Sequence, residues 1–492
     1  MDKKNIIPFE KFSIQIGDGS IANVKAQRDL TTGPLFVPMI KFVIPIMLTG
    51  MLQICYNMAD NIVVGRYSGD SLALAAVGST SALANLIINL LMGIAGGAGV
   101  LIAQCYGAKD NERLSRAVHT SMMFALFGGL FFCILGFTIS KPALELMGTK
   151  PELMDRAYLY LRIICLGIPA SAVYNFGAAT LRSVGDSRTP LYILSSTGIV
   201  NVLLNLVFVI GFGMSVDGVA LATIIAQYIS AITVVLILFK RRDSVYSLSL
   251  AKMRIDKELL MKMLKLGLPA GFQGSLFSIS NIIITGGINT LPTEAISGKT
   301  IAINIEGLVY TAMNSYLHAS MTFTGQNYGA RNAERIRKSI MYAVIQVSAI
   351  GIIGGQFINL LGRPIASLYL DPTIENSDLV MDYALELMAF MLSVYFLCGI
   401  MDTLSGSLRG LGYSIIPMII SIFAICVLRT IWVLFVFPTE TFHSLIGIYI
   451  VYPISWLIGA GLLVITLIHV YKKIKVKFAS PENTGNTLAD EA

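Results

Sequence analysis

Long apolar stretches alternate with short polar ones from about residue 37 to residue 470, and each is long enough to cross a bilayer core as a helix. The limits read from this pattern are 37–64, 73–105, 119–140, 157–180, 190–213 and 218–239, then 266–288, 299–326, 339–361, 381–408, 415–437 and 444–470. The pattern therefore predicts twelve spans and an all-α polytopic membrane protein. Several runs exceed the roughly 20 residues of a simple crossing, which tilt or extension beyond the bilayer accommodates. Residues 1–36 are polar and mixed in charge, without a cleavable signal pattern. They are read as an N-terminal cytoplasmic arm able to fold as a short cap.

The polar breaks between the runs repeat themselves. Gln104-Cys-Tyr-Gly-Ala-Lys-Asp-Asn-Glu112-Arg113 returns as Gln326-Asn-Tyr-Gly-Ala-Arg-Asn-Ala-Glu334-Arg335, an offset of 222. Leu181-Arg182-x-x-Gly185-x-Ser187-x-x-Pro190 returns as Leu408-Arg409-x-x-Gly412-x-Ser414-x-x-Pro417 at 227, and Lys41-x-x-x-Pro45 as Lys265-x-x-x-Pro269 at 224. Three matches in one order at nearly constant offset mean two homologous halves. The halves are a first lobe at 37–239 and a second at 266–470, joined by an inter-lobe linker at 240–265 and followed by a tail at 471–492. Six spans per half is an even number, so both lobes keep one orientation, a parallel repeat about a pseudo-two-fold axis along the membrane normal. In each Gln-x-Tyr-Gly-Ala copy the glycine is expected to end a helix ahead of a solvated turn.

Charge orients the bundle. With both termini in the cytoplasm, 28 of the 36 Lys and Arg residues fall on the cytoplasmic side, in the arm, the start of the first span (Lys41), the cytoplasmic loops, the linker and the tail. Six (Arg66, Lys141, Lys150, Arg156, Lys299, Arg363) fall on the other side, and Arg162 and Arg429 lie within spans. This is the positive-inside asymmetry of a plasma-membrane protein, the inner membrane in bacterial terms. The net charge of +7 is thus a topology signal and calls for no nucleic-acid partner. The linker reads as a basic amphipathic stretch on the anionic inner leaflet.

Composition narrows the chemistry. Hydrophobic residues make up 55% and charged residues 13%, about half the charge of a soluble chain. The six cysteines all fall in or at the ends of apolar runs without a C-x-x-C pair, and the four histidines are scattered singly. Neither pattern supplies a metal cluster, a disulfide framework or a cofactor site, and no nucleophile–base set marks an enzyme. The 24 Phe, 20 Tyr and 22 Met are read as packing and lipid-facing side chains, of which a minority can line a cavity suited to flat apolar cations.

An ionisable side chain inside hydrocarbon costs about 2.5–3.5 kcal/mol on insertion scales, so each one is a candidate functional group. Asp60 lies in Tyr56-Asn57-Met58-Ala59-Asp60-Asn61, about four turns past Pro45, a residue that bends a helix. Two readings stand: a wet carboxylate at the outer end of the span, or an ion-binding group to which Tyr56, at i−4, hydrogen-bonds. Asn201 and Asn205 stand at i and i+4 in the fifth span and Thr223 early in the sixth. Each alone is equally well interhelical glue; with Asp60 they form an oxygen set able to bind a proton or a sodium ion. The Lys-x-x-x-Pro alignment puts Ile284 opposite Asp60, so the second half lacks that acid. Its own acids are Glu306 and Asp402, with Arg429 able to neutralise either. A structural ion pair and a substrate cavity fit those three residues equally.

The chain resembles the multidrug and toxic compound extrusion (MATE) family. The resemblance runs from about Asp29 to the tail. It is carried by Asp29-Leu-Thr-Thr-Gly-Pro, by Tyr56-Asn-Met-Ala-Asp60-Asn-Ile-Val-Val-Gly65-Arg66, by Leu74-Ala-Ala-Val-Gly78, and by both copies of the duplicated motifs. It implies two six-helix lobes that alternate between inward- and outward-facing states, exporting cationic, often aromatic drugs in exchange for inward-moving H+ or Na+. It also implies a functional monomer that uses no cofactor. The resemblance puts the coupling ion in the first lobe, at Asp60 with Tyr56, Asn201, Asn205 and Thr223, and the bend of the first helix at Pro45. Two departures stand out: some relatives carry an aspartate where this chain has Asn205, and others a carboxylate in the seventh helix, where this chain has none. A flippase for a lipid-linked or endogenous metabolite is the alternative.

Overall fold

The structure is a computed structural model that describes residues 29–67, 72–242, 244–370 and 376–479. The remainder of the N-terminal arm and residues 480–492 of the tail lie outside it, and with them the expected cap. The twelve spans are α1 (Phe36–Tyr67), α2 (Ala73–Gly107), α3 (Asn111–Leu146), α4 (Pro151–Ser183), α5 (Arg188–Gly211) and α6 (Val216–Lys240), then α7 (Lys257–Ile288), α8 (Thr293–Gly329), α9 (Ala333–Leu360), α10 (Ser377–Gly410), α11 (Ile415–Val436) and α12 (Leu445–Ala479). Among the described residues, nine are long and apolar enough to span by themselves, and α10 qualifies as a pair of helices, Ser377–Val394 and Phe396–Gly410, bent by 45°. The other two, α7 and α8, have the length but not the hydropathy. The reason shows in the second half of α8, where Ser315, Ser320, Thr322, Thr324, Gln326 and Asn327 are buried inside the bundle instead of meeting lipid. Apolar side chains such as Phe131, Ile134, Ile353 and Phe435 face outward instead.

Several helix limits have a local cause. Asp110 and Asn332, equivalent positions of the duplication, cap α3 and α9 by accepting from Arg113 N–H and Arg335 N–H, each at 3.0 Å. Asp256 caps α7, so the linker shortens to residues 241–256 and its expected last residues form the first turns of that helix. The break in α12 falls at Ile450, three residues before Pro453, which has no N–H to donate.

Packing does not divide the chain at the linker. Met39, Phe42 and Val43 of α1 belong to the core of the second half. Leu259 and Met263 of α7 belong to the core of the first. The first span of each half therefore starts against the opposite half. The α2–α7 crossing is close because both helices are small there: a Cβ on Gly97 would sit 2.5 Å from Gly267 N. Between helices in lipid, such close backbone packing and hydrogen bonding replace the hydrophobic drive of water-soluble cores.

The linker is fastened to the first lobe. Tyr246 and Leu248 are buried, and Ser249 N–H donates to His119 Nε2 at 3.0 Å. Asp186, in the turn before α5, accepts from Arg188 N–H and Thr189 N–H and pairs with Arg241 Nη2 at 2.8 Å, while Arg241 Nη1 donates to Tyr246 at 2.8 Å. Its side chain is 1% exposed and that of Arg241 23%. Asp186→Ala strands the arginine and uncaps α5. We expect a loss of about 3–5 kcal/mol, read as a lower melting temperature of the purified protein in detergent; an unchanged melting temperature would contradict the assigned role.

The duplicated motifs meet at the end of the bundle that carries the linker. Gln104 Nε2 donates to Gly410 O at 2.9 Å, and Gln326 Nε2 donates to Ser183 O at 2.7 Å. Ser183 and Gly410 are themselves equivalent by the offset of 227, so each half's first motif locks onto the other half's second. As expected, α2 and α8 end on Gly107 and Gly329, but these glycines do not take the left-handed conformation. The left-handed residues are Lys109 and Arg331, at φ 57° and 53°. The glycines are needed because each backbone lies on the carbonyl of the opposing glutamine, at Gln326 and Gln104. The Asp29-Leu-Thr-Thr-Gly-Pro segment is held on the same end. Arg335 donates to the carbonyls of Leu30, Thr32 and Gly33 at 2.8–3.0 Å, and Leu30 N–H donates to Gln326 Oε1 at 3.2 Å.

Candidate ion and substrate site

On α1 the polar residues Gln53, Tyr56, Asn57 and Asp60 recur at helical spacing and make one face. With Asn201 of α5 and Thr223 of α6, that face lines a cavity of about 160 Å³ in the first lobe. Asn205 Nδ2 donates a hydrogen bond to Asp60 Oδ1, while its own Oδ1 is buried without a partner. The Asn201 and Asn205 side chains are 6% and 0% exposed. Beside Asn205 the fifth span changes to a wider π-helical stretch, Leu206–Gly211, a distortion that often accompanies a functional site.

The structure thus brings together the five residues expected to cluster, with one difference. Tyr56 does not bind the carboxyl group; its hydroxyl donates to Ser195 O at 3.2 Å, and its ring forms part of the wall. Thr223 is hydrogen-bonded to the Asp60 carboxyl group, and its Oγ1 also lies 2.9 Å from Val219 O. Pro45 lies inside α1, where its carbonyl accepts from Thr49 Oγ1 at 2.7 Å. Gln53 and Asn57, and Ser171, Asn175 and Gln227 from α4 and α6, also line the cavity. The first two were recoverable from their helical spacing to Asp60; the others carry no local signal.

Of the two readings of the second lobe, the ion pair does not form. Arg429 pairs with neither acid: its Nε and Nη2 donate to Ser455 Oγ at 3.1 and 3.0 Å, and its guanidinium lies 3.8 Å from the Tyr452 ring centroid. Cation–π contact and a hydroxyl replace the carboxylate. Asp402 accepts from Asn314 Nδ2 at 3.5 Å. Glu306 is 4% exposed with its Oε1 unpartnered. Glu306, Asp402 and Arg429 thus form no direct contact with one another. Arg182 and Arg409, counted above as loop residues, stand in the last turns of α4 and α10.

Two helical lobes embedded in a membrane, with a carboxylate-bearing cavity inside one and a seam between them, define a transporter and not an enzyme. The family model described as MatE matches residues 45–207 and again 269–434, and the chain belongs to this family of multidrug and toxic compound extrusion transporters. Among its relatives is the Bacillus subtilis (strain 168) protein named "Probable multidrug resistance protein YoeA", 29% identical over 441 residues that cover 88% of this chain and 94% of the relative. A Thermotoga maritima protein named "Probable multidrug resistance protein NorM" is 27% identical over 399 residues, 80% of this chain and 83% of its own. A solved structure described as the outward-facing conformation of a multidrug resistance MATE family transporter of the MOP superfamily superposes with a TM-score of 0.83 at 24% identity, covering 92% of this chain and 98% of that one. That likeness shows the fold.

Proposed function

We propose that this transporter exports cationic, often aromatic compounds in exchange for inward-moving H+ or Na+, by alternating access between its two lobes. The observation that carries this reading is the Asp60–Asn205 contact inside the polar cavity of the first lobe. A carboxylate placed there at a cost of about 2.5–3.5 kcal/mol is suited to bind a cation reversibly. The relatives named for multidrug resistance support the export of drugs, and the 28-to-six distribution of Lys and Arg supports cytoplasmic termini in a plasma membrane. A complete pair of lobes in one chain supports a functional monomer.

In this mechanism Asp60, ionised, favours the state that takes substrate from the cytoplasm or inner leaflet. After outward opening an ion neutralises it, α1 shifts about Pro45, and the substrate leaves. The ion can do this only by binding the two states unequally. With one ion exchanged per monovalent cation, no net charge moves, and each tenfold ion gradient supplies about 1.4 kcal/mol. A second ion would add about 2.3 kcal/mol per 100 mV. The test is uptake of a fluorescent aromatic cation into proteoliposomes under an imposed pH or sodium gradient with the potential clamped. One of the two gradients is expected to drive accumulation, and failure of both would refute antiport.

A further inference from the structure

The seam between the halves is narrow at Arg182 and His318, where the free space is about 30 Å³, room for one water molecule. Toward the end that carries the linker lies a larger cavity of about 330 Å³, the size of a small-molecule site. Leu101 and Gln104 of α2 line it from the first half, and Lys262, Lys265 and Leu266 of α7 from the second. The entry to α11, with Ser414 and Ile416, completes the wall.

The duplication shows that such a place is filled elsewhere in this chain. By the offsets of 222 and 224, Leu101, Gln104 and Leu266 correspond to Phe323, Gln326 and Phe42. There the arm occupies the position. Leu30 is 3% exposed, within the same apolar cluster as Phe42 and Phe323, and its N–H donates to Gln326 Oε1 at 3.2 Å. The residue equivalent to Leu30 is Arg254, and the linker carries it away from Gln104. Arg254 lines a different cavity, together with Arg116, and Asp256 N–H donates to Thr120 Oγ1 of α3 at 3.0 Å. One half thus leaves open a place that the other fills with an apolar side chain of its own.

The open place joins apolar walls to uncompensated positive charge. Ile415 and Ile416 are 48% and 39% exposed, and the exposed stripe continues along α11 through Ile419 and Phe423, a face that meets lipid. Glu258 pairs with both Arg113 and Lys262, at 3.0 and 3.1 Å, so one carboxylate serves two cations. Among the described residues Lys265 has no hydrogen-bond or ion-pair partner. Ser414 is 4% exposed and its hydroxyl oxygen is buried without a partner, a group that calls for an explanation. A basic pocket between spans at the end of the bundle, continuous with a lipid-facing stripe, matches a phospholipid with an anionic headgroup.

We infer that this cavity is a binding site for one anionic phospholipid, its acyl chain against Leu101, Leu266 and Ile416 and its phosphate at Lys262 and Lys265. The lipid touches α2 of one half and α7 and α11 of the other. It therefore favours the arrangement in which the halves meet at this end. The inference stands apart from the export reading, since it depends neither on the coupling ion nor on the compound carried.

The test places the full chain in phosphatidylcholine nanodiscs doped with a lipid whose acyl chain is photoactivatable, either a phosphatidylglycerol or a phosphatidylcholine. Labelled residues are read by peptide mass spectrometry. With two lysines at the headgroup, the phosphatidylglycerol probe should label residues 412–416 about tenfold more than the phosphatidylcholine probe. Lys262→Gln and Lys265→Gln should each lower that preference severalfold, and Lys265→Arg should keep it. Lys41→Gln, at the position equivalent to Lys265, should leave it unchanged, because the arm fills the place beside it. Equal labelling by the two probes, no labelling at 412–416, or a preference that survives both changes at Lys262 and Lys265 would overturn the site. A preference lost equally in Lys41→Gln would reduce it to general charge attraction and overturn it too. Displacement of the phosphatidylglycerol probe by excess glycerol 3-phosphate would show that a soluble phosphate suffices, against a lipid.

Discussion

Asp60→Asn is expected to reduce gradient-driven transport by about 100-fold or more while leaving membrane insertion intact. The substitution is nearly isosteric. An asparagine fits the same space on the polar face of α1 and can still accept from Asn205 Nδ2. What it removes is the charge that an incoming ion neutralises. To move a two-state equilibrium from 1:99 to 99:1 an ion must favour one state by about 5.5 kcal/mol. A neutral amide offers a proton nothing and a sodium ion a single carbonyl, so the differential binding that drives the cycle is lost. The measurement is the proteoliposome assay with matched protein density, run in both pH and sodium gradients. Accumulation at the wild-type rate would remove the first-lobe cavity from the coupling mechanism and turn attention to Glu306, whose buried carboxyl oxygen has no partner. Loss of accumulation with retained exchange of labelled for unlabelled substrate would separate coupling from the pathway itself.

How far the sequence carries depends on whether a feature is periodic or depends on what it meets. Span positions are periodic, and the twelve predicted segments lie on the twelve helices with their ends displaced by several residues. The displacement is largest where helices leave the bilayer. Helix α3 begins at Asn111, eight residues before its apolar core, because Asp110 caps it there. The 45° break in α10 at Tyr395 has no proline to announce it. Asp60 on α1 and the asparagines of α5 were visible as costly residues in apolar runs, and their meeting follows from both facing one lobe interior. The position of Arg182 was not visible, because an arginine three residues before a glycine turn looks the same whether its side chain bends to solvent or into a seam. Nor could the sequence decide between Tyr452 and a carboxylate as the neighbour of Arg429. Both satisfy a guanidinium, and only packing selects one.

The motif glycines give a prediction whose sign separates two explanations. Were Gly107 and Gly329 helix terminators without other duties, alanine would cost little, and within a helix it would even be favoured by about 1 kcal/mol. Their surroundings dictate the opposite. A Cβ on Gly107 would lie 1.9 Å from Gln326 O, and one on Gly329 would lie 2.0 Å from Gln104 O. Both obstacles are backbone carbonyls in buried helices, which cannot rotate away as a side chain would. The methyl group must therefore push α2 and α8 apart, and the Gln104–Gly410 and Gln326–Ser183 bonds separate with them. Each lobe keeps its own core, so Gly107→Ala and Gly329→Ala should both insert and fold. Both should lose about 100-fold or more of transport, because the arrangement closed at this end is no longer reachable and a transporter that cannot close one end cannot complete a cycle. The two should be equally affected, since the contacts are reciprocal. Ser183, 3% exposed and bonded across the seam, reports the change when replaced by cysteine in a background lacking the six native cysteines. Maleimide should label Ser183→Cys at least tenfold faster in either alanine variant than in the parent. Parent-like labelling and transport in both variants would mean that this end of the bundle opens and closes elsewhere than at the duplicated motifs.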